Sequence, residues 1–348
     1  MRILITGGAG FIGSNLLHYW CEKHPDDAVV CLDKLTYAGH LSSIRSLIDS
    51  GRIEFVKGDI CLSEDVRRVM HDTDTVIHLA AESHVDRSID KPDEFVRTNV
   101  LGTFTLLEEA RRADIRRFHH VSTDEVFGSL SLDSAEKFNE QTRYNPRSPY
   151  AASKAASDHL VRSYGETYGI GTSISNCGNN FGPFQHPEKL IPRFITLLQS
   201  GRKVPIYGDG LNVRDWIYVY DHCSAIDAIV NRGKNGDTYM VSGRNELSNI
   251  ELTRKILSVM GLAEDRIDYI RDRPGHDRRY ALDDSKLRNE LGWKPSMQLA
   301  EALKVTISWY LSNEWWWKGM GDTYSFSGEL KHAGSGRTVQ QDGHTPKP

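Results

Sequence analysis

The stretch "HVSTDEVFGS" (residues 120–129) sets two acids, Asp124 and Glu125, side by side where an apolar, strand-like run ends in hydroxyls. Two neighbouring carboxyls can serve as acid and base if unlike surroundings push their pKa values apart, the more desolvated one being raised. Continued as a strand, the chain would turn them to opposite sides by alternation. The same residues also spell a helix start, with Ser122 or Thr123 as N-cap and the acids in a first turn where the helix dipole favours negative charge. This stretch alone leaves both readings open. A second pair, Tyr150 and Lys154 in "SPYAASKAASDHLVRSYGETYG", stands at i and i+4 behind Pro149, so one helix face carries both. An ammonium beneath a phenol favours the phenolate and lowers a pKa that starts near ~10. Such a tyrosine can take the proton of an alcohol whose carbon gives up hydride. YxxxK also arises by chance as a helix-surface pair, and what precedes it gives it meaning.

What precedes it is "LITGGAGFIGSN", in which Gly8, Gly10 and Gly13 satisfy GxGxxG and Gly7 stands just before them. Glycines there allow a tight turn, a close approach of backbone to pyrophosphate at a helix N-terminus, and close packing of helix on strand. Asp33 ends the second apolar run "VVCLD" and follows Gly13 at the distance where an acid bonds ribose hydroxyls. Its charge would repel a 2'-phosphate, which favours NAD over NADP; Lys34, next in the chain, softens that preference. Asp59 and Ile60 in "KGDI" could flank an adenine or form an ordinary turn.

Positioning these residues requires a frame, and the first half supplies one. "RILIT", "AVVCLD", "EFVKGDI", "TVIHLAA", "RFHHVST" and "TSISN" read as buried strands, with helical segments such as "FIGSNLLHYWCEK" and "VLGTFTLLEEARRA" between them. Alternating strands and helices predict an α/β fold, a doubly wound parallel sheet with ligands at the carboxyl ends of its strands. Beyond about residue 177, prolines punctuate shorter elements, with helices expected near 221–232, 249–260 and 298–313. Trp315, Trp316 and Trp317 are expected to pack the last helix, and the polar stretch 319–348 to be a mobile tail.

A chain of 348 residues with 39% hydrophobic and 26% charged residues predicts a soluble protein of about two lobes. A net charge of -4 gives no basic face for nucleic acid or an acidic membrane. Cys21, Cys31, Cys61, Cys177 and Cys223 include no CxxC pair, which argues against a disulfide framework or zinc site and for reduced thiols in the cytoplasm. No signal peptide or spanning segment is evident, and no metal is expected: His84 and His276 lack a matching ligand cluster.

GGAGFIG, YxxxK, "LAAESHVDRSI" and "NNFGPFQHPEKLIPR" together resemble the extended short-chain dehydrogenase/reductase family. "STDEVFG", "HPEKLIPR", "RDWIYV" and "RPGHDRRYALD" resemble in particular its dTDP-glucose 4,6-dehydratases, over Met1 to about Lys318. The resemblance implies a Rossmann-like fold: an NAD-binding domain over 1–177 with a returning segment near 206–240, and a smaller interleaved nucleotide-sugar lobe over 178–318. It implies a homodimer built on "VLGTFTLLEEARRA" and the Tyr150 helix, and tightly held NAD. Members oxidise the glucose C4 hydroxyl, eliminate water across C5 and C6, and return the hydride to C6. By resemblance Tyr150 takes the C4 hydroxyl proton, Lys154 supports it and Thr123 bonds near the same oxygen. Glu125 is then the base for the C5 proton and Asp124 the acid for the departing C6 hydroxyl.

The resemblance further implies cofactor contacts at Gly7, Gly10, Phe11, Ile12, Gly13, Asp33, Lys34, Leu35, Thr36, Asp59, Ile60, Leu79, Ala80, Ala81, Ser83, Thr98 and Asn180. Substrate contacts are implied at Ser83, Asn179, Lys189, Leu190, Pro205, Ile206, Tyr207, Arg214, Asn249, Asp272, Arg273 and His276, with Arg214, Arg273 and Lys189 suited to a diphosphate. Gly178 and Tyr220 depart from the family pattern, where "NCSNN" and "YVED" are usual. A dehydratase of another NDP-hexose such as UDP-glucose is one alternative, and a nucleotide-sugar 4-epimerase or decarboxylase of the same family is the next, but epimerases commonly carry small hydroxyl residues where the acid pair stands. A nucleotide sensor without turnover is a second, disfavoured by the intact Thr123, Asp124, Glu125, Tyr150 and Lys154.

Overall fold

The structure is a computed structural model and describes residues 1–272, 276–318 and Met320. Arg273 and the expected tail therefore lie outside the described residues. In chain order the strands are β1 (Arg2–Thr6), β2 (Ala28–Asp33), β3 (Ile53–Lys57), β4 (Thr75–His78), β5 (Arg117–Thr123), β6 (Gly171–Cys177), β7 (Asn179–Phe181), β8 (Val204–Tyr207), β9 (Val213–Tyr218), β10 (Thr238–Val241), β11 (Glu246–Ser248) and β12 (Ile267–Ile270). The longer helices are α1 (Phe11–Lys23), α2 (Thr103–Arg112), α3 (Pro149–Tyr168), α4 (Leu190–Gln199), α5 (Val219–Arg232), α6 (Asn249–Met260) and α7 (Leu299–Ser312).

Seven strands form a parallel sheet in the order β10-β6-β5-β4-β1-β2-β3. Both faces are covered, which is why its strands read as continuous apolar runs. Along β1, Ile3 and Ile5 enter one core with Leu16, Leu17 and Trp20 of α1, while Leu4 enters the other with Leu106, Leu107 and Val161 of α2 and α3. The strand order reverses between β1 and β4, and the crevice at such a switch point is where open α/β sheets bind ligands. Of the stretch 206–240, α5 and β10 join this sheet's layers, whereas β8 and β9 belong to two small sheets, β12-β8 and β11-β9-β7.

The segment expected as one helix over 100–113 is two kinds of helix. Residues Val96–Gly102 are π-helical and regular α geometry begins at Thr103. The Asn99 carbonyl accepts from the hydroxyls of Thr103 (2.5 Å) and Ser157 (2.7 Å), and its side chain binds Ser153 Oγ on α3 (2.8 Å). These side-chain bonds substitute for part of the helical ladder, the usual setting of a π-bulge. Just beyond α7, Trp316 is buried against the core with its indole N–H on Ser43 Oγ, and Trp317 donates to the Tyr310 carbonyl. Packing describes those two tryptophans; Trp315 is exposed.

Candidate active site

The crevice is walled first by the turn between β1 and α1. Gly7 has φ +72°, and a Cβ on it would lie 2.6 Å from the Ala80 nitrogen. At Gly13 a Cβ would stand 2.1 Å from the Gly7 carbonyl oxygen, so only glycine lets the α1 N-terminus sit this close to the strand. Asp33 closes the far side, accepting from the backbone N–H of Ala9 (2.9 Å) and Leu35 (2.7 Å). Burial pushes its carboxyl up and those two N–H groups pull it back. Lys34 reaches across to Asp59 at 2.8 Å; burial raises the Asp59 carboxyl, but Lys34 and the Cys61 N–H outweigh it and hold it below its ordinary value. A side-chain-free turn at a helix N-terminus with an oriented acid beyond it fits a dinucleotide such as NAD.

The same cavity is lined by Phe11, Ile12, Thr36, Ile60, Leu79, Ala80, Ala81, Ser83, Thr98, Asn179, Asn180 and Lys189, together with Thr123, Asp124, Glu125, Tyr150 and Lys154. Leu35 instead contributes its backbone to Asp33. Strand β5 ends at Thr123, and the acids fall in a short 3-10 turn, Asp124–Phe127, capped by the Thr123 hydroxyl accepting from Glu125 N–H (3.3 Å). The helix-start reading of these residues is thus the local geometry, and strand alternation does not reach them. Turn and site are compatible because the turn sits at the carboxyl end of the sheet.

Asp124 is 2% exposed. Its Oδ1 accepts from Thr123 Oγ1 at 3.3 Å, while Oδ2 has no partner among the described residues. Burial, then Glu125, then Asp215 raise its pKa well above the carboxylate range, despite the nearby Arg214 guanidinium. An acid raised in this way is shifted toward its protonated form, the form that can donate a proton. Tyr150 does not show the lowered pKa expected of it: in the protein alone burial and then Glu125 push the phenol up, with the Thr123 hydroxyl opposing. Desolvation of the phenolate is the largest cause. Lys154 is itself buried and brought down to about 8 by desolvation.

Of the second-lobe residues expected to hold substrate, Asn179 and Lys189 belong to this lining and the others are not among it. Lys189 Nζ donates to the Ser83 carbonyl (3.2 Å), tying the lobe to the loop after β4. Leu190 opens α4, Pro205, Ile206 and Tyr207 lie on β8, and Asn249 opens α6 behind the Ser248 cap. Arg214 on β9 is buried, donates to the carbonyls of Val213 and Asp277, and lies over the Tyr280 ring at 4.3 Å. His276 Nδ1 lies 2.7 Å from Asp272 Oδ1, with its ring edge toward Tyr207.

Several neighbours of the cavity were not singled out from sequence. Glu82, Gln185, His186 and Glu188 line it; Glu188 lies inside the motif "HPEKLIPR", beside Lys189. Asn99 fixes Glu82 through both its backbone N–H and carbonyl (2.8 and 3.0 Å), and no local pattern marks an asparagine for that. Gly178 has a reason in this chain: a Cβ there would lie 2.6 Å from the Asp215 carbonyl oxygen. Tyr220 stacks on Tyr218 and meets Tyr19 edge-on.

A doubly wound sheet with a glycine cradle and a Tyr/Lys helix at the crevice, joined to a second lobe, defines an extended short-chain dehydrogenase/reductase. The chain belongs to the GDP-mannose 4,6 dehydratase family, whose family model matches residues 4–306, and within it to the dTDP-glucose 4,6-dehydratases. It is 50% identical to the dTDP-glucose 4,6-dehydratase of Mycobacterium tuberculosis (strain H37Rv), covering 92% of this chain and 97% of that protein. The crystal structure of the Streptomyces venezuelae dTDP-glucose 4,6-dehydratase DesIV, solved with NAD bound, is similar at TM-score 0.89 and 45% identity, covering 92% of this chain and all of that one. A Thermotoga maritima UDP-glucose 4-epimerase with UDP-glucose is similar at TM-score 0.83 and 27% identity, covering 90% of this chain and 99% of that one.

Proposed function

We propose that the protein is an NAD-dependent hydro-lyase converting dTDP-glucose to dTDP-4-keto-6-deoxyglucose and water. The observation that carries this reading is the setting of the acid pair: Asp124 is buried with its carboxyl raised well above the ordinary range, and its neighbour Glu125 lines the same cavity as Tyr150 and Lys154. NAD, when bound, supplies the acceptor and later the donor of one hydride. Tyr150, as the phenolate that the Lys154 ammonium favours, takes the proton of the C4 hydroxyl and becomes a neutral phenol, while Thr123 orients that oxygen. With C4 a ketone, the C5 proton is acidified and Glu125 removes it; Asp124 gives its proton to the C6 hydroxyl, which leaves as water. Glu125 returns its proton to C5 as hydride reaches C6. The lobe residues Lys189, Arg214, Asn249 and His276 hold the nucleotide so that the hexose stays in register, remote binding energy orienting the reacting carbons.

The protein acts as a homodimer in the cytoplasm. An apolar groove of Val96, Val100, Leu101, Phe104 and Leu160 on the α2 and α3 side supports the dimer, and free cysteines among the described residues support a reducing compartment. Epimerases share the cradle and the Tyr/Lys pair but need no acid for a leaving hydroxyl. Incubation with dTDP-glucose followed by mass spectrometry separates the readings: loss of one water supports the dehydratase, while isomerisation at unchanged mass or untouched substrate overturns it.

A further inference from the structure

Behind the cavity, α3 continues the spacing of Tyr150 and Lys154 by one more turn to Asp158, so three functional groups share a face. Lys154 Nζ donates to the Val121 carbonyl at 2.9 Å and lies 3.1 Å from His120 Nε2. The same His120 nitrogen lies 3.3 Å from Asp158 Oδ1. Asp158 is completely buried, and its other oxygen accepts from Ser122 Oγ (2.9 Å), Tyr144 OH (2.7 Å) and Asn176 Nδ2 (3.4 Å). A buried carboxylate supplied with this many donors is stabilised in its charged form.

We propose that Asp158 and His120 are positioning residues for Lys154: the buried carboxylate keeps the lysine an ammonium, and the imidazole between them fixes where that ammonium points. The ring nitrogen they share cannot accept from the ammonium and donate to Asp158 at once. While Lys154 is charged, Nε2 accepts from it, and Asp158, held as a carboxylate by Ser122, Tyr144 and Asn176, faces the pair as the balancing negative charge. When Lys154 loses its proton, Nε2 is free to carry one and bond Asp158. The lysine's protonation and the histidine tautomer are thereby coupled. Other ionisable groups around Lys154 do not supply the charge. In the protein alone, burial favours the neutral forms of His78 on β4 and Tyr150 on α3, and pushes the Cys177 thiol on β6 up to about 12. Arg162 reaches Asp158 only through Tyr144. Burial has already brought Lys154 down to about 8, with Asp158 opposing, so removing that carboxylate leaves an amine near neutral pH.

The inference rests on the reaction proposed above, and its test has a readout of its own. In the NAD-loaded enzyme carrying 15N-lysine, the Lys154 resonance is followed against pH in wild type and Asp158→Asn. The titration is expected to fall by about one pH unit or more, tenfold in the ratio of ammonium to amine. The alkaline limb of the dehydration rate should move down with it, while the rate at lower pH is kept, and Asp158→Glu should restore part of the shift. An unmoved lysine titration in folded Asp158→Asn, or a rate lowered equally at every pH, overturns the proposal. Should that variant not fold, the Asp158 carboxyl carbon of wild type is observed instead. It is expected to stay ionised wherever Lys154 titrates, and a protonated carboxyl there overturns the proposal. Wild type that removes no water from dTDP-glucose defeats the proposed reaction but leaves the lysine titration readable.

Discussion

Asp124 and Glu125 are neighbours in the chain, yet Asp124 is buried and Glu125 only partly so. Asp124 faces the interior with one oxygen unpartnered, so its ionisation is opposed by burial and by Glu125. The proposed roles divide cleanly when each acid is replaced. Glu125→Gln should abolish exchange of the C5 proton with solvent, seen by proton NMR in D2O, while C4 oxidation persists. Asp124→Asn should retain that exchange but lose turnover by roughly 100-fold or more, the usual worth of a positioned general acid. Since the acid form of Asp124 is required, the rate should also fall as pH rises through its raised pKa. Exchange lost in both variants alike, or in neither, would contradict the division.

Between residue and fold stand two short elements that place the chemistry. The β1–α1 turn works because its glycines leave room, and a Gly13→Ala methyl would meet the Gly7 carbonyl at 2.1 Å. Overpacking of this kind costs about 1–3 kcal/mol, and here the shift falls on the cradle itself. Purified Gly13→Ala protein should therefore carry markedly less bound NAD than wild type, measured by releasing the cofactor with acid; full occupancy would mean the turn relaxes elsewhere. The other element is the start of α3, where Ser148 Oγ accepts from Ala151 N–H at 3.1 Å, Pro149 presets the first helical φ, and Tyr150 follows at once. Ser148→Ala should cost about 1 kcal/mol in a denaturation midpoint.

At the scale of the whole molecule, two properties follow from how the layers are closed. Val96, Leu101 and Phe104 are 57%, 45% and 42% exposed on one side, an apolar surface that pairing with a second copy would cover. Phe104→Glu should shift the species seen by sedimentation from dimer to monomer; an unchanged dimer would place the interface elsewhere. The sheet also buries His78, His119, His120 and His222 as neutral rings. Unfolded histidine titrates near ~6.5, so the stability these rings contribute is complete above that pH and declines as pH falls, for His120 until about 4. Thermal midpoints should drop between neutral pH and mild acid more steeply than in a His120→Gln variant.

Sequence by itself determined six of the seven sheet strands, the α1 segment and the glycine cradle, because apolar period and glycine spacing are local and survive without neighbours, whereas β10 was not legible in it. It also brought Asp124, Glu125, Tyr150 and Lys154 forward by type and spacing. Only the tertiary structure decided what those groups are. Whether Asp124 holds its proton depends on Asp215 and Arg214 across the chain, the π-turn at Asn99 on hydroxyls from α3, and Lys154 on a histidine and an aspartate packed beneath it. Burial and charge act through space, and residues distant along the chain supply both.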